Sequence, residues 1–264
     1  MTEQEKSNTF YYMFLVIAFV LACLFTKLGF YVKMFFFGLC LVFGGLVGGF
    51  VSVPFGKSPQ NHFRMFKIFQ TFCMPLGISI DVRHHERLKS NEPFIIIANH
   101  QSCLDVLVMT HVWPKNCVVM LKSSLKWLPG FNLCAYMCES IYINRFSKEK
   151  AHKTVDTTLA EILDKKRKVW MYPEGTRNSE PQMLPFKKGA FLLAKQAKCP
   201  VVCCAFSSYN NFYNHAEKRF DFGGKVIVDV LPPVDSEQFE DVDDLSKHCY
   251  KLIQERREQL DKEL

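Results

Sequence analysis

The chain has 264 residues, of which 48% are hydrophobic, and it carries a formal net charge of +7. This length is enough for one sizeable domain and an anchor. The basic excess suits an anionic membrane surface and phosphate-bearing substrates. Nucleic acid is not expected as a partner, because the chain has no lysine-rich run and no aromatic stacking motif.

Two apolar segments without a charged side chain open the chain, at residues 7–26 and 34–56. Each is long enough to cross a hydrocarbon core of roughly 30 Å. The segment between them, residues 27–33, is too short for a domain, so the two are predicted to form a tight membrane hairpin within an anchor of residues 1–56. One membrane helix followed by one buried helix is the alternative.

The charges around these segments bear on processing and orientation. A cleavable signal peptide is not expected, because Lys6 is the one basic residue before the first apolar segment. Lys57, Arg64 and Lys67 follow the second segment directly and place that side in the cytoplasm. The lysines at the two ends of the intervening loop weaken this inference.

Residues 57–92 mix aromatic and basic side chains and are read as an amphipathic connector. The pattern fits two structures equally well. One is a helix lying on the membrane surface. The other is the first helix that packs against the core of the domain that follows.

From residue 93 to the end, short apolar runs alternate with helical stretches. The predicted strands are residues 94–98, 117–121, 141–143, 168–172, 201–206 and 225–231. The predicted helices are residues 105–113, a segment capped by Ser147, residues 189–197 and an amphipathic C-terminal tail. This alternation predicts an α/β domain over residues 93–264, with a largely parallel, mixed sheet flanked by helices.

Residues 126–142 are unusually apolar for a loop of a soluble domain. They could line a channel for an acyl chain or dip into the bilayer. Ordinary core packing is at least as good an interpretation.

The eleven cysteines do not form a C-x-x-C pair. No zinc template is therefore present, and no metal is expected. Most are interpreted as small buried thiols in a reducing compartment.

His100 and Asp105 form the candidate catalytic pair. Five residues along a regular helix turn about 500°, so their side chains would diverge there. They can meet if His100 lies in the turn that leaves the strand and Asp105 lies on the first turn of the helix. His100 would then remove a proton from an alcohol while Asp105 orients the ring. Taken alone, the pair could equally be a helix-capping Asp and a surface His.

A second motif, at residues 172–177, follows another predicted strand. Gly175 would let backbone N–H groups approach a ligand, and Arg177 could grip a phosphate with its planar fork. Glu174 could accept from a hydroxyl or orient an arginine. Lys122 and Arg145 follow two further strands and would bring cations to the same edge, although each alone is more simply a surface charge.

Four ordered blocks resemble those of the glycerophospholipid acyltransferases. They are N-H-Q-S-C-L-D at residues 99–105, I-N-R at 143–145, P-E-G-T-R at 173–177 and the strand after Pro200. Residues 183–191 and 206–209 are similar to the 1-acylglycerol-3-phosphate acyltransferases in particular. The resemblance covers residues 94–233. Three departures, at Glu139, Tyr172 and Cys203, are not expected to touch the reacting groups.

The resemblance implies transfer of a fatty acyl group from acyl-CoA to the sn-2 hydroxyl of lysophosphatidic acid, which gives phosphatidic acid. It implies His100 as base and Asp105 as its partner. It implies no cofactor beyond acyl-CoA as co-substrate, contact with membrane lipids, and a home in the endoplasmic reticulum membrane. The residues implied in binding the acceptor are Arg145, Glu174, Gly175, Thr176 and Arg177, with Lys122 matching a lysine found in many members.

Other functions remain open at this stage. The same machinery could acylate glycerol-3-phosphate or another lysophospholipid. The chain could be a catalytically inactive, membrane-anchored lipid-binding protein, although the intact motifs argue against it. A metal hydrolase is the weakest alternative, since no third ligand accompanies the His–Asp pair.

Overall fold

The computed structural model describes residues 3–25, 27–128, 130–143 and 148–264. Its α-helices are α1 (Glu3–Phe25), α2 (Lys27–Ser52), α3 (Asn61–Cys73), α4 (Asp105–His111), α5 (Phe131–Met137), α6 (Lys148–Lys165), α7 (Gly189–Ala197) and α8 (Val242–Asp261). Its strands are β1 (Ser79–Arg83), β2 (Ile95–Ala98), β3 (Cys117–Lys122), β4 (Ile141–Ile143), β5 (Lys168–Met171), β6 (Val201–Phe206), β7 (Tyr213–Asn214), β8 (Arg219–Phe220) and β9 (Lys225–Val230).

Seven strands form the central sheet in the order β1-β9-β6-β2-β5-β3-β4. Neighbouring strands are parallel except β6 and β9, which pair antiparallel. The sheet is therefore mixed and largely parallel, which confirms the predicted fold class. β7 and β8 form a separate two-stranded hairpin.

The sheet is covered on both faces, which explains why its inner strands are apolar throughout rather than alternating. The three isoleucines of β2 are fully buried. Ile96 faces a core built with α2, α3 and α4, whereas Ile95 and Ile97 face a core built with α6, α7 and α8. Both cores converge on β2, so the strand that leads into the first motif is held from both sides.

The inner strands lie within a residue or two of their predicted positions, whereas several peripheral elements do not follow the sequence pattern. β1 joins the sheet beside β9, although it falls in the segment interpreted as a connector. The hairpin of β7 and β8 has only two residues in each strand, which is too short to produce a periodic pattern. Ser147, the predicted cap of α6, lies outside the described residues.

The predicted loop between the two apolar segments is wrong over residues 27–33, because they form the first turns of α2. Phe30 and Lys33 of these turns are buried against the hairpin of β7 and β8, where the Lys33 amine bonds the Phe220 carbonyl. Tertiary contacts thus extend the helix through residues that look like a linker.

One stretch of this region, residues 27–55, is long and apolar enough to cross a membrane by length and composition. α2 nevertheless packs one face on the domain: Phe37 is 1% exposed, while Phe35 on the other face is 70% exposed. The described side chains of α1 are exposed and mostly apolar. An apolar surface therefore remains uncovered on both N-terminal helices.

Close helix contact explains the glycines of α2. A Cβ at Gly48 would lie 2.7 Å from Met65 Cγ, and one at Gly49 would lie 2.6 Å from Leu133 Cγ. These distances are below van der Waals contact, so the small residues let α3 and α5 approach α2. The glycines at these two positions therefore serve packing within the chain.

Part of the apolar segment 126–142 forms α5, whose Met137 packs with Met65 of α3 and whose Leu133 lies against Gly49 of α2. Trp127, in contrast, is 87% exposed. Glu139 ends this segment with a φ of 56°, a left-handed conformation that favours glycine. The Glu139 carboxylate pairs with Arg167.

Candidate active site

The two principal motifs meet at one edge of the sheet. β2 ends at Ala98 and its parallel neighbour β5 ends at Met171, so the turns that follow them lie side by side. Catalytic groups of α/β proteins commonly sit at this carboxyl edge. The His100 carbonyl accepts a hydrogen bond of 2.8 Å from the Asn178 N–H, which joins the two turns directly.

His100 and Asp105 are in contact in the arrangement that the spacing requires. His100 lies in the turn after β2, Asp105 is the first residue of α4, and their Nδ1 and Oδ2 atoms are 2.5 Å apart. Asp105 is 1% exposed and the His100 side chain is 20% exposed. With the proton on Nδ1, the outward Nε2 is the nitrogen that can accept a proton.

The Asp105 carboxylate is anchored by the backbone as well as by the imidazole. Oδ2 accepts from the N–H groups of Gln101 at 2.7 Å and Ser102 at 3.2 Å. These donors fix the carboxylate against the turn that carries His100. Residues 100–105 thus supply both the imidazole and the carboxylate that orients it, because the hydrogen bonds of Asp105 close this short segment into a turn.

The imidazole ring is also held on its face. Tyr172, the residue after β5, stacks on His100 with ring centroids 4.2 Å apart and an interplanar angle of 20°. The expectation that the departure at Tyr172 does not touch the reacting groups is therefore wrong. Burial, followed by the charge of Asp105, raises the pKa of Tyr172 well above its ordinary value. The ring is therefore neutral at physiological pH and acts as a flat wall for the histidine.

Glu174 joins the two motifs rather than facing solvent. Its Oε1 accepts from the His100 N–H at 2.7 Å, and its Oε2 accepts from the Leu184 N–H at 2.9 Å. Burial raises the pKa of Glu174, while these two backbone donors oppose the rise. Both carboxylate oxygens therefore accept hydrogen bonds from the protein backbone. Direct contact with a substrate hydroxyl is not needed to explain why a carboxylate stands at this position.

Replacing Glu174 by Gln should lower the free energy of unfolding by about 1–3 kcal/mol. The amide has one oxygen, so either the His100 N–H or the Leu184 N–H would face a second donor. Thermal unfolding in detergent, measured against the exposed Glu180→Gln control, tests this. Equal stability of the two variants would contradict the role of Glu174 in joining the two motifs.

The other predicted binding residues lie on the turn after β5 and at the end of β3. Gly175 has a φ of 73°, so the turn requires its left-handed backbone. Thr176 and Arg177 are exposed. The positive charge of Arg177 acts on Tyr172. It opposes the rise in the pKa of Tyr172, which is caused mainly by burial. Lys122 ends β3, two positions from β2 in the sheet order.

Arg145 lies outside the described residues. The structure therefore brings His100, Asp105 and Glu174 into one hydrogen-bonded unit, with Arg177 near it. It does not show Lys122 in contact with that unit.

Three further polar residues support the first motif and were not singled out from the sequence. Asn99 exchanges hydrogen bonds of 3.0 and 2.8 Å with the backbone of Phe206, and Gln101 donates to the Ser207 carbonyl at 2.8 Å. Arg257 of α8 is 1% exposed and donates to the Gln101 side chain at 3.5 Å. A sequence signal exists for Arg257, because it follows the buried Ile253 by four residues on the apolar face of an amphipathic helix.

Comparisons with known proteins agree with this architecture. An Acyltransferase family model matches residues 79–207. The chain is 63% identical over 255 residues to a Caenorhabditis elegans protein named provisionally as a 1-acyl-sn-glycerol-3-phosphate acyltransferase, covering 95% of this chain and 97% of that protein. It is 34% identical over 212 residues to human 1-acyl-sn-glycerol-3-phosphate acyltransferase alpha, covering 79% of this chain and 73% of the human protein.

The crystal structure of the 1-acyl-sn-glycerophosphate acyltransferase PlsC from Thermotoga maritima has the same fold. Its TM-score is 0.68 at 21% sequence identity, and the match covers 89% of this chain and 94% of that chain. Fold, motifs and matches together define an acyltransferase. The chain belongs to the family of 1-acyl-sn-glycerol-3-phosphate acyltransferases, which confirms the resemblance seen in its motifs.

Proposed function

We propose that this protein transfers a fatty acyl group from acyl-CoA to the sn-2 hydroxyl of lysophosphatidic acid and so forms phosphatidic acid. The observation that carries the proposal is the 2.5 Å contact of His100 with Asp105 beside the P-E-G-T-R turn. The names of the relatives favour this acceptor. The proposal includes no metal and no cofactor apart from the acyl-CoA co-substrate.

The reaction begins with removal of the acceptor proton. His100 Nε2 takes the proton of the sn-2 hydroxyl, and the imidazolium that forms is stabilised by Asp105. The hydroxyl oxygen then attacks the thioester carbonyl and forms the new C–O bond. As the C–S bond breaks, His100 returns the proton to the CoA sulfur, so that ester and free thiol are the products.

The proposal assigns acceptor binding to the exposed end of the second motif. Arg177 and Thr176 extend from the turn that Glu174 and Gly175 shape, and a guanidinium can bind two phosphate oxygens at once. Lys122 and Arg145 would add positive charge from the ends of β3 and β4. Glu174 would act on the acceptor through the His100 turn.

Arg177→Ala should raise the KM for lysophosphatidic acid by about 10- to 100-fold, the equivalent of one charge-assisted hydrogen bond. The KM for acyl-CoA should change little, because the lost group faces the acceptor phosphate. Initial rates with each substrate varied in turn measure both constants. Arg83→Ala, which removes an arginine from an edge strand, is the matched control. Equal losses for both substrates would contradict the phosphate-anchor role.

A panel of acceptors tests the reaction itself. Purified protein in detergent would receive acyl-CoA with lysophosphatidic acid, glycerol-3-phosphate or lysophosphatidylcholine, and released CoA would be followed with a thiol reagent. Preference for lysophosphatidic acid supports the proposal. Preference for another acceptor favours the alternative within the same machinery, and no turnover with any of them favours an inactive lipid-binding protein. Activity that disappears in chelator would contradict the metal-free mechanism.

We further propose that the protein acts at the endoplasmic reticulum membrane with its catalytic domain in the cytoplasm. The support is the apolar stretch of residues 27–55 and the basic residues Lys57, Arg64 and Lys67 that follow it. The exposed apolar surfaces of α1 and α2 suit contact with membrane lipids. Protease accessibility of a C-terminal tag in sealed microsomes tests the orientation, and a protected tag would contradict it.

A further inference from the structure

One oxygen of the catalytic carboxylate is left without a donor. Asp105 Oδ2 accepts from His100, Gln101 and Ser102, whereas Oδ1 is buried and has no hydrogen-bond partner among the described residues. A buried charged oxygen without a donor is costly, and such atoms are rare in folded proteins. The asymmetry is notable because this carboxylate orients the proposed base.

A second buried group without a partner lies beside the same turn. Tyr209 is 3% exposed, and its hydroxyl oxygen has no hydrogen-bond partner within the described part of the chain. Tyr209 shares a small cavity with Gln101 and Ser102, the residues whose N–H groups hold Asp105 Oδ2. The bond from Gln101 to the Ser207 carbonyl, two residues before Tyr209, fixes the two segments together.

The two unpartnered groups act on each other electrostatically. Burial first, then the charge of Asp105, raises the pKa of Tyr209 well above its ordinary value. The hydroxyl therefore keeps its proton at physiological pH. Among the described residues, the Tyr209 hydroxyl is a donor without an acceptor and Asp105 Oδ1 is an acceptor without a donor.

We propose that the Tyr209 hydroxyl donates a hydrogen bond to Oδ1 of Asp105 and is a positioning residue for the His100–Asp105 pair. The role rests on the proposed function, because it matters for turnover only if His100 is the base. With donors on both oxygens, the carboxylate cannot rotate away from Nδ1. The Tyr209 donor also draws charge from the carboxylate, so it lowers the affinity of His100 for a proton.

Other ionisable groups also surround the pair and would remain unchanged by removal of the Tyr209 hydroxyl. They come from the first motif, the turn after β5, the small hairpin and the C-terminal helix: Cys103, Tyr172, Glu174, Arg177, Tyr213 and Arg257. A change in the titration of His100 on removal of the Tyr209 hydroxyl alone would therefore report the Tyr209–Asp105 contact.

Tyr209→Phe removes the hydroxyl and keeps the ring. The expected result is a fall in kcat of about 10-fold with little change in either KM, because geometry at the reacting atoms is affected and substrate binding is not. The acidic limb of the kcat–pH profile should move upward by roughly 0.5 pH unit, because the less neutralised carboxylate favours the imidazolium. Introducing 3-fluorotyrosine at position 209, a stronger donor, should move the limb downward.

Tyr142→Phe is the matched control, since the Tyr142 hydroxyl is also buried and has no hydrogen-bond partner in the described part of the chain, but it belongs to β4. It should leave kcat and the pH profile unchanged. The proposal is overturned if the limb stays in place or moves the same way for the phenylalanine and fluorotyrosine variants. It is also overturned if Tyr142→Phe has the same effect as Tyr209→Phe.

A readout independent of turnover separates this proposal from the proposed function. The rate at which diethyl pyrocarbonate modifies His100, followed by mass spectrometry of its peptide as a function of pH, reports the protonation of the imidazole directly. Tyr209→Phe should shift this titration upward whether or not the protein has acyltransferase activity. An inactive wild-type protein with that shift would refute the proposed function alone, whereas an active protein without it would refute the role of Tyr209 alone.

Discussion

His100→Ala should lower kcat for acyl transfer by about 10³- to 10⁴-fold, the upper range for loss of a general base. The alanine leaves no group at the edge of the sheet to accept the proton of the acceptor hydroxyl. Substrate binding should be largely retained, because the proposed acceptor contacts lie on the second motif. Single-turnover rates with acyl-CoA and lysophosphatidic acid, together with binding of lysophosphatidic acid, separate the two effects.

The chain contains a matched control for this experiment. His84 forms a similar pair with Asp229, with 2.6 Å between Nδ1 and Oδ1, at the end of β1 and far along the sheet order from β2. His84→Ala should leave turnover near the wild-type value. A His100→Ala variant with more than a tenth of wild-type turnover, or a His84→Ala variant with an equal loss, would remove the basis of the mechanism.

Asp105→Asn should lower kcat by about 10²- to 10⁴-fold while the fold is retained, because the amide has the shape of the carboxylate but cannot stabilise an imidazolium. Its oxygen can still accept from the Gln101 and Ser102 N–H groups. The loss should therefore arise from charge and tautomer rather than from collapse of the turn. The acidic limb of the kcat–pH profile should move downward, because the imidazolium loses its counter-charge.

Thermal unfolding and the pH profile of Asp105→Asn provide the measurement. Asp243→Asn is the control, since Asp243 is an exposed carboxylate that pairs with Lys188 on the surface. It should change neither turnover nor the profile. A fully active Asp105→Asn enzyme, or one whose profile coincides with that of the wild type, would show that Asp105 does not orient or charge-stabilise His100.

The inner strands could be predicted because their signal is local. β2 and β6 are continuous apolar runs bounded by polar or proline residues, and burial on both faces requires such runs. The contact of His100 with Asp105 was also predictable, because five residues at a strand-to-helix junction allow little other geometry. The family itself was evident from the order of short motifs.

Contacts between distant segments decide the hydrogen bonding of Glu174 and the structure of residues 27–33. The P-E-G-T-R motif predicts that Glu174 binds the substrate. In the structure, both of its oxygens accept hydrogen bonds from backbone N–H groups of separate segments. The sequence predicts a linker at residues 27–33. In the structure, Phe30 and Lys33 are buried against β7 and β8, and α2 extends through these residues. In each case the deciding partner is distant in sequence.

By itself, the sequence determined the fold class, the acyltransferase family and the His100–Asp105 pair, because these depend on apolar periodicity and on contacts spanning a few residues. Only the tertiary structure decided that Glu174 joins the two motifs, that β1 completes the sheet and that Tyr209 shares a cavity with Gln101 and Ser102. Those features depend on hydrogen-bond and packing partners that the strand order brings together from segments far apart in the chain, such as Ser79 of β1 and Lys225 of β9.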